Sequence, residues 1–342
     1  MVTVREVAER AGVAPVTVSR VINGSSKVRP DTKRRVEQAI KELGFVPNLA
    51  ARTLRSGTSG SVAVLVTDVT NPFFTTVVRG VEDIAHQRKL RVILCNTDEN
   101  TAKEQDYLVT LLQQRIDGII LVSADSSGKH LIHVFDGLNP ALVPPIVAVD
   151  RRLEGGLAKD TVVSNNRLGS KELTEHLLGH GHTRIALLLG LSKVSVAAER
   201  LAGYEEALRQ QGLPIDDQLI CHVPLTMAGG RAAVQTLLSL GAPPTAIYAT
   251  NNFLAAGAMS ALRERGIKVP EQMALVSFDD IEMAAAIDPF LTVMAQDAYN
   301  MGVTAMEMLH ERLCDRGPAT ERQVVFQPRL IIRRSCGCRL PA

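Results

Sequence analysis

The sequence predicts a small all-α head followed by an α/β body of two doubly wound parallel-sheet lobes. Three observations predict it. Residues 4–43 hold three short amphipathic segments separated by turn residues. From Ser61 onward, β-branched runs such as "SVAVLV" (61–66), "GIILV" (118–122) and "RIALLLG" (184–190) alternate with amphipathic helical stretches. Strands that are apolar on both faces belong to parallel sheets covered by helices on each side. The alternation runs for about 270 residues, which is long for one such sheet, so two lobes with a cleft between them are expected.

Thr3-x-x-Glu6 is a capping box and starts a helix near Val4. Gly12 ends that helix and allows a sharp turn. Pro15 suits the first position of the next helix, where its missing N–H costs nothing. Val18, Val21 and Ile22 fall on one face and pack inward, so Pro15, Val16, Ser19, Arg20 and Asn23 face out. A third helix runs from Pro30 to Leu43 and is closed by Gly44. This is helix-turn-helix spacing. Residues 47–60, "PNLAARTLRSGTSG", read as a short helix over 49–55 capped by Asn48, then a Gly/Ser/Thr linker. A helix that short needs a partner to persist.

In the body, strands are expected at 91–95, 145–150, 246–250 and 274–280, and helices at 72–88, 103–114, 167–181, 197–212, 228–239 and 253–266. A short helix should separate the strands at 118–122 and 145–150. The expected domains are therefore a head (1–46), a hinge and linker (47–60), a two-lobed body (61–335) and a tail (336–342). Open parallel sheets bind ligands at the carboxyl ends of their strands. Those ends carry Thr67-Asp68, Asn96, Asp150-Arg151, Asn251-Asn252 and Asp279-Asp280.

Charge separates the two parts. Residues 1–59 hold eleven Lys/Arg against five Asp/Glu, a net +6, while the remainder carries −4. A basic head on a mildly acidic body points to an anionic partner for the head alone; with this spacing nucleic acid is the expected partner, and a small helical docking module is the alternative. The first residues, "MVTVREVAER", show no apolar signal segment, and no apolar run reaches a membrane span, so a cytoplasmic, nucleoid-associated protein without a membrane partner is expected. The five cysteines make no disulfide framework. The "SCGC" at 335–338 is a weak metal or redox signal, since two thiols do not close a zinc site without further ligands. His180 and His182 of "GHGH" read as turn and surface residues. No cofactor or metal is expected. No nucleophile elbow, Walker loop or dinucleotide fingerprint appears, which argues against an enzyme; the unmatched basic head argues against a stand-alone solute receptor.

"TVREVAERAGVAPVTVSRVINGSSKVRPDTKRRVEQAIKELGFVPNLAARTLRSG" (3–57) resembles the DNA-binding head of the lactose-repressor (LacI/GalR) family, with the family signature in "VAERAGVAPVTVSRVIN" (7–23). Ala14 departs from it, standing where the family usually has a Ser cap. The resemblance implies a homodimeric, ligand-responsive transcriptional regulator, most often a repressor, on a pseudo-palindromic operator in double-stranded DNA. It places Pro15 and Val16 at the positions that touch base edges. Both are apolar here and suit thymine methyls. It places Arg20 where it can fork onto guanine O6 and N7. Thr3, Thr17, Ser19 and Asn23 are placed for phosphates, although Thr17 and Ser19 serve equally well as helix caps or solvated residues. Leu54 stands at the position of a minor-groove wedge, flanked by Arg52 and Arg55 for phosphates.

From 61 to 335 the chain resembles the same family's effector domain, itself similar to periplasmic sugar-binding proteins. The matching stretches include "DVTNPFFTTVVRGVE" (68–82), "PIVAVDRR" (145–152), "RLAGYEEAL" (200–208) and "LVSFDD" (275–280). A sugar needs bidentate polar partners for its hydroxyls and an apolar platform for its C–H face. The resemblance puts Phe73, Phe74, Asp150, Arg200, Asp279 and Gln296 around the effector. Arg151 after Asp150 is similar to the Asp-Arg pair of ribose-type binders, and Asn252 stands where many members have Asp. One of the two adjacent phenylalanines should be core. A sugar or sugar derivative is the expected effector, with a purine or other small metabolite left open.

Overall fold

The computed structural model describes residues 2–22, 27–46, 58–139, 142–190 and 194–338. The chain forms two compact units, Met1–Ser59 and Gly60–Ala342.

The first unit packs three helices around one small core. Helix α1 (Val4–Ala11) has the capping box read from the sequence: Thr3 accepts from the Glu6 backbone, and Glu6 reaches back to the Thr3 N–H at 2.6 Å. Gly12 and Gly44 take the left-handed conformation that ends α1 and α3. Helix α2 (Pro15–Ile22) buries Val18 and Val21, and α3 (Pro30–Leu43) buries Val36 and Ala39. With Val7, Ala8, Ala11 and Phe45 they close the core.

The second unit consists of two six-stranded sheets of matching order. The first runs β11-β5-β4-β3-β1-β2 and the second β12-β10-β9-β8-β6-β7. Strands β1 (Ser61–Val66), β3 (Gly118–Leu121), β4 (Ile146–Val149), β6 (Ile185–Leu189), β8 (Ala246–Ala249) and β9 (Ala274–Phe278) are buried along their length. That burial is why their sequences are continuous apolar runs rather than alternating ones. β2 (Arg91–Asn96) and β7 (Ile220–His222) are edge strands. The pairs β10–β12 are antiparallel, whereas β5–β11 are parallel.

Helices α4 (Pro72–Gln87), α5 (Thr101–Gln113), α6 (Lys129–Phe135) and α12 (Ala298–Leu313) cover the first sheet. Helices α7 (Asn166–Gly179), α8 (Ser195–Gln210), α9 (Met227–Leu238) and α10 (Asn252–Glu264) cover the second. A short α11 (Glu282–Ile287) follows β9. Helices α4 and α12 touch backbone to backbone. A Cβ on Gly302 would lie 2.0 Å from the Val77 carbonyl oxygen, and one on Gly80 would lie 2.2 Å from that of Tyr299.

The chain crosses between lobes three times: from β5 (Asp160–Ser164) to α7, from β10 (Thr292–Ala295) to α12, and from β11 (Arg322–Phe326) to β12 (Arg329–Ile331). The second lobe is thus an insertion, and α12 and β11 return to complete the first. These returning elements, together with β5, β7 and β10, lie outside the helices and strands expected from the sequence. Where an expected element falls within the described residues, its observed ends lie within about two residues, as is usual for terminal turns; the helix expected over 49–55 lies outside them.

Candidate functional site

On the head, Pro15, Val16 and Arg20 are exposed along α2, with Val16 at 56%. Thr17 and Ser19 are half-buried and Thr3 is exposed. The face opposite Val18 and Val21 therefore presents an apolar pair and a guanidinium side by side. Thr3 is committed to the capping box of α1, which ties its hydroxyl to Glu6. The α2 start has no side-chain cap of its own. Ala14 offers only its carbonyl, which accepts from Thr17 and Val18. Asn23, Asn48, Arg52, Leu54 and Arg55 lie outside the described residues.

The body encloses a cavity of about 650 Å³ between its lobes, at the carboxyl ends of both sheets. Its lining includes Phe73, Phe74, Asp150 and Arg151 from the first lobe and Arg200 and Asp279 from the second. Asp150 follows β4 and Asp279 follows β9, the same position in each lobe. Both take positive φ, 66° and 68°, a conformation in which Asp is among the better tolerated residues. Both are buried. Burial pushes the Asp150 pKa up to about 6 against the opposing pull of Arg151 and Arg200. Burial likewise raises that of Asp279, against Arg200 and a hydrogen bond from Gln296.

The arginines are held rigidly. Arg151 forks onto Glu99 at 2.6 and 2.7 Å and donates to the Ser123 carbonyl at 2.8 Å. Arg200 lies over the Phe278 ring at 3.7 Å, donates to Asn166 at 2.9 Å and also donates to the Thr250 carbonyl. Phe73 and Phe74 meet edge to face, with centroids 5.1 Å apart. Both are buried and both line the cavity, which corrects the expectation that one would be core alone. They occupy the first turn of α4, whose end abuts the cavity, so two neighbouring directions around the helix both reach it.

Two expected effector residues do not line the cavity. Asn252 is fully buried behind its neighbour Asn251, which caps α10 and takes the cavity side. Its Nδ2 donates to Asn71 Oδ1 at 3.0 Å and links the lobes directly. Gln296 donates to Asp279 Oδ1 at 2.7 Å and steadies that carboxylate from the side. Conversely, Asn71, Asp98, Glu99 and Thr226 line the cavity although they are not among the expected effector residues. The signal was present in "NTDEN" (96–100), the polar run that leaves β2. Asp280 faces away and pairs with Arg333.

A helix-turn-helix head followed by a body whose lobes enclose a polar cleft defines a DNA-binding regulator built on a solute-receptor scaffold. Residues 3–48 match the family described as bacterial regulatory proteins, lacI family, and residues 174–336 match the periplasmic binding protein-like domain. The chain is 33% identical over 336 residues to the HTH-type transcriptional repressor PurR of Photobacterium profundum, covering 98% of each. It is 31% identical to the HTH-type transcriptional regulator DegA of Bacillus subtilis, covering 97% of each. This protein belongs to the lacI family of bacterial regulatory proteins. Among solved structures, the transcriptional regulator CelR–cellobiose complex is similar with a TM-score of 0.73, at 30% identity over 98% of this chain and all of that one. The lac repressor dimer bound to operator and the anti-inducer ONPF is similar with a TM-score of 0.82, at 27% identity over 98% of this chain and 99% of that one. Among the described residues no helix is long and apolar enough to cross a membrane.

Proposed function

We propose that this protein is a repressor that binds a pseudo-palindromic operator as a homodimer and responds to a neutral sugar held in the cleft between its lobes. The head (1–46) reads DNA, residues 47–60 act as the hinge, and the body (61–335) binds the effector and pairs the subunits. Pro15, Val16 and Arg20 contact bases; Thr3, Thr17, Ser19 and Asn23 position phosphates; Leu54 wedges the minor groove between Asn48, Arg52 and Arg55.

The cleft's charge carries the effector reading. Asp68, Asp98, Glu99, Asp150 and Asp279 face it, against two arginines. That excess of carboxylates disfavours sugar phosphates and sugar acids and suits a ligand rich in hydroxyl donors. Phe73 and Phe74 give the cleft apolar surface on which the C–H groups of a sugar can pack. The similar structure with bound cellobiose supports the same reading. For pairing, the exposed Leu94 on edge strand β2 and the exposed Met283 and Ile287 on α11 supply apolar surface. Ligand acts only through its different affinity for the DNA-competent and incompetent states.

The test is a thermal-shift and calorimetry panel of neutral pentoses, hexoses and disaccharides against sugar phosphates, sugar acids and purines. A neutral sugar should raise the melting temperature and change operator affinity. Exclusive stabilisation by a purine would replace the sugar reading while leaving the regulator intact. Absence of any duplex preference in a binding-site selection would remove the repressor reading itself.

A further inference from the structure

Two motifs distant in sequence meet beside the second lobe. His176 lies in the last turn of α7 and His180 caps that helix, so the two rings lie on one face with centroids 4.6 Å apart and planes tilted by 49°. Beyond β12 the chain turns through Gly337, at φ +84°, and presents Cys336 and Cys338 to the same place. Cys338 Sγ lies 3.4 Å from His176 Nε2, 2.9 Å from His180 Nε2 and 2.8 Å from Cys336 Sγ. The ligand atoms of His176, Cys336 and Cys338 all lie within 4.8 Å of one another, and among the described residues this is the only such group.

Three further features suit a metal. His180 Nδ1 lies 2.7 Å from the His176 carbonyl oxygen. A nitrogen facing a carbonyl must carry the proton, which leaves Nε2 with its lone pair towards the sulfurs. Metal-ligating histidines are oriented in this way, by a hydrogen bond from the other ring nitrogen. Thr292 Oγ1 donates to Cys336 Sγ at 3.1 Å and supplies an outer partner for a thiolate. Two thiolates and two neutral imidazoles balance the charge of a divalent ion. Tetrahedral zinc, with Zn–S about 2.3 Å and Zn–N about 2.0–2.1 Å, needs ligand atoms about 3.3–3.8 Å apart. His176, Cys336 and Cys338 already hold their ligand atoms within 4.8 Å of one another, while His180 meets the group through Cys338 at 2.9 Å and must swing its ring inward to complete the tetrahedron.

We propose that His176, His180, Cys336 and Cys338 form a closed Cys₂His₂ site for Zn²⁺ that pins the segment following β12 to α7. Four protein ligands leave no open position, so the ion is structural rather than catalytic. The pinned helix begins at Asn166, the residue that holds Arg200 in the cleft. The site thus anchors the far end of an element that supports the ligand cavity.

The experiment uses the reduced, full-length protein, stripped with chelator and titrated with Co²⁺ and then Zn²⁺. Binding at this site should give a thiolate-to-cobalt charge-transfer band with intense tetrahedral d–d bands, both removed by stoichiometric Zn²⁺. Cys338→Ser and His180→Gln should each weaken binding by more than the ~10–100-fold that loss of an outer partner costs. His180 is exposed, so its variant should keep the wild-type circular dichroism spectrum. A weak octahedral cobalt spectrum, unchanged affinity in both variants, or a Cys336–Cys338 disulfide that re-forms in place of metal uptake would each overturn the proposal.

Discussion

Asp150→Asn should make the ligand-free protein more stable at neutral pH and a poorer receptor. Asn fills the same volume and tolerates the positive φ of residue 150. The carboxyl is buried, and its pKa rises from the ordinary 3.8 to about 6. At 1.36 kcal/mol per pH unit, keeping it ionised in the folded state costs about 3 kcal/mol. The sign follows from proton counts. Between the unfolded and folded pKa values the folded state holds more protons, so wild-type stability falls as pH rises from about 4 to 6 and then levels. The variant has no such group. Its advantage should be near zero at about pH 4 and approach 3 kcal/mol at about pH 7.5. Losing a charged acceptor should meanwhile weaken effector binding by about 1.5–3 kcal/mol. Urea denaturation at the two pH values reads the first effect, and calorimetry with the effector reads the second. No gain at neutral pH, or an equal gain at both pH values, would refute burial as the cause of the raised pKa.

Three other perturbations test separate parts of the molecule. Arg20→Ala should cost about 1–3 kcal/mol on the preferred operator and relax base choice at one position, as read by binding-site selection. An unchanged preference would mean that Arg20 does not read a base. Asp160→Asn should destabilise by about 3–5 kcal/mol, because Arg312 and Arg322 both fork onto this buried carboxylate. Burial opposes ionisation of Asp160, but the two arginines outweigh it and hold the pKa below 3.8. The penalty measured by urea melts should be full above the ordinary carboxylate range and shrink as pH falls through the folded pKa. Gly302→Ala should cost about 1–3 kcal/mol by forcing α4 and α12 apart, seen as a lower urea midpoint. A neutral result would mean that these helices part freely.

The head was legible almost to the residue, because its helix starts, stops and buried face rest on local chemistry: Thr3 with Glu6, Gly12, Pro15, Gly44. In the body, a polar residue after an apolar run marks the carboxyl edge of a sheet, which is why Asp150 and Asp279 could be named as cavity residues. The same rule fixes the edge but not the depth. It could not tell Asn251, which lines the cavity, from Asn252, which lies behind it. Gln296, expected at the ligand, touches Asp279 instead. Glu99 escaped notice because its importance comes from Arg151, over fifty positions away. The same distance problem hid the meeting of His180 with Cys338. Each motif alone is weak, and only the packing of the last strand beside α7 joins them. Short strands such as β7, with three residues, carry too little pattern to be seen.

The threefold crossing of the chain has a consequence for synthesis. Translation releases β1 to β5 early, yet α12, which packs across β3, β4 and β5, arrives some 130 residues after β5 ends. Until then the apolar faces of Val77 and Val81 that α12 will cover stay bare to the cytosol or to a chaperone. The inserted lobe, by contrast, emerges as one nearly continuous stretch and can consolidate first. Truncation anywhere before residue 298 should therefore damage the lobe nearest the amino terminus in sequence, even though every residue of its first five strands has already been made.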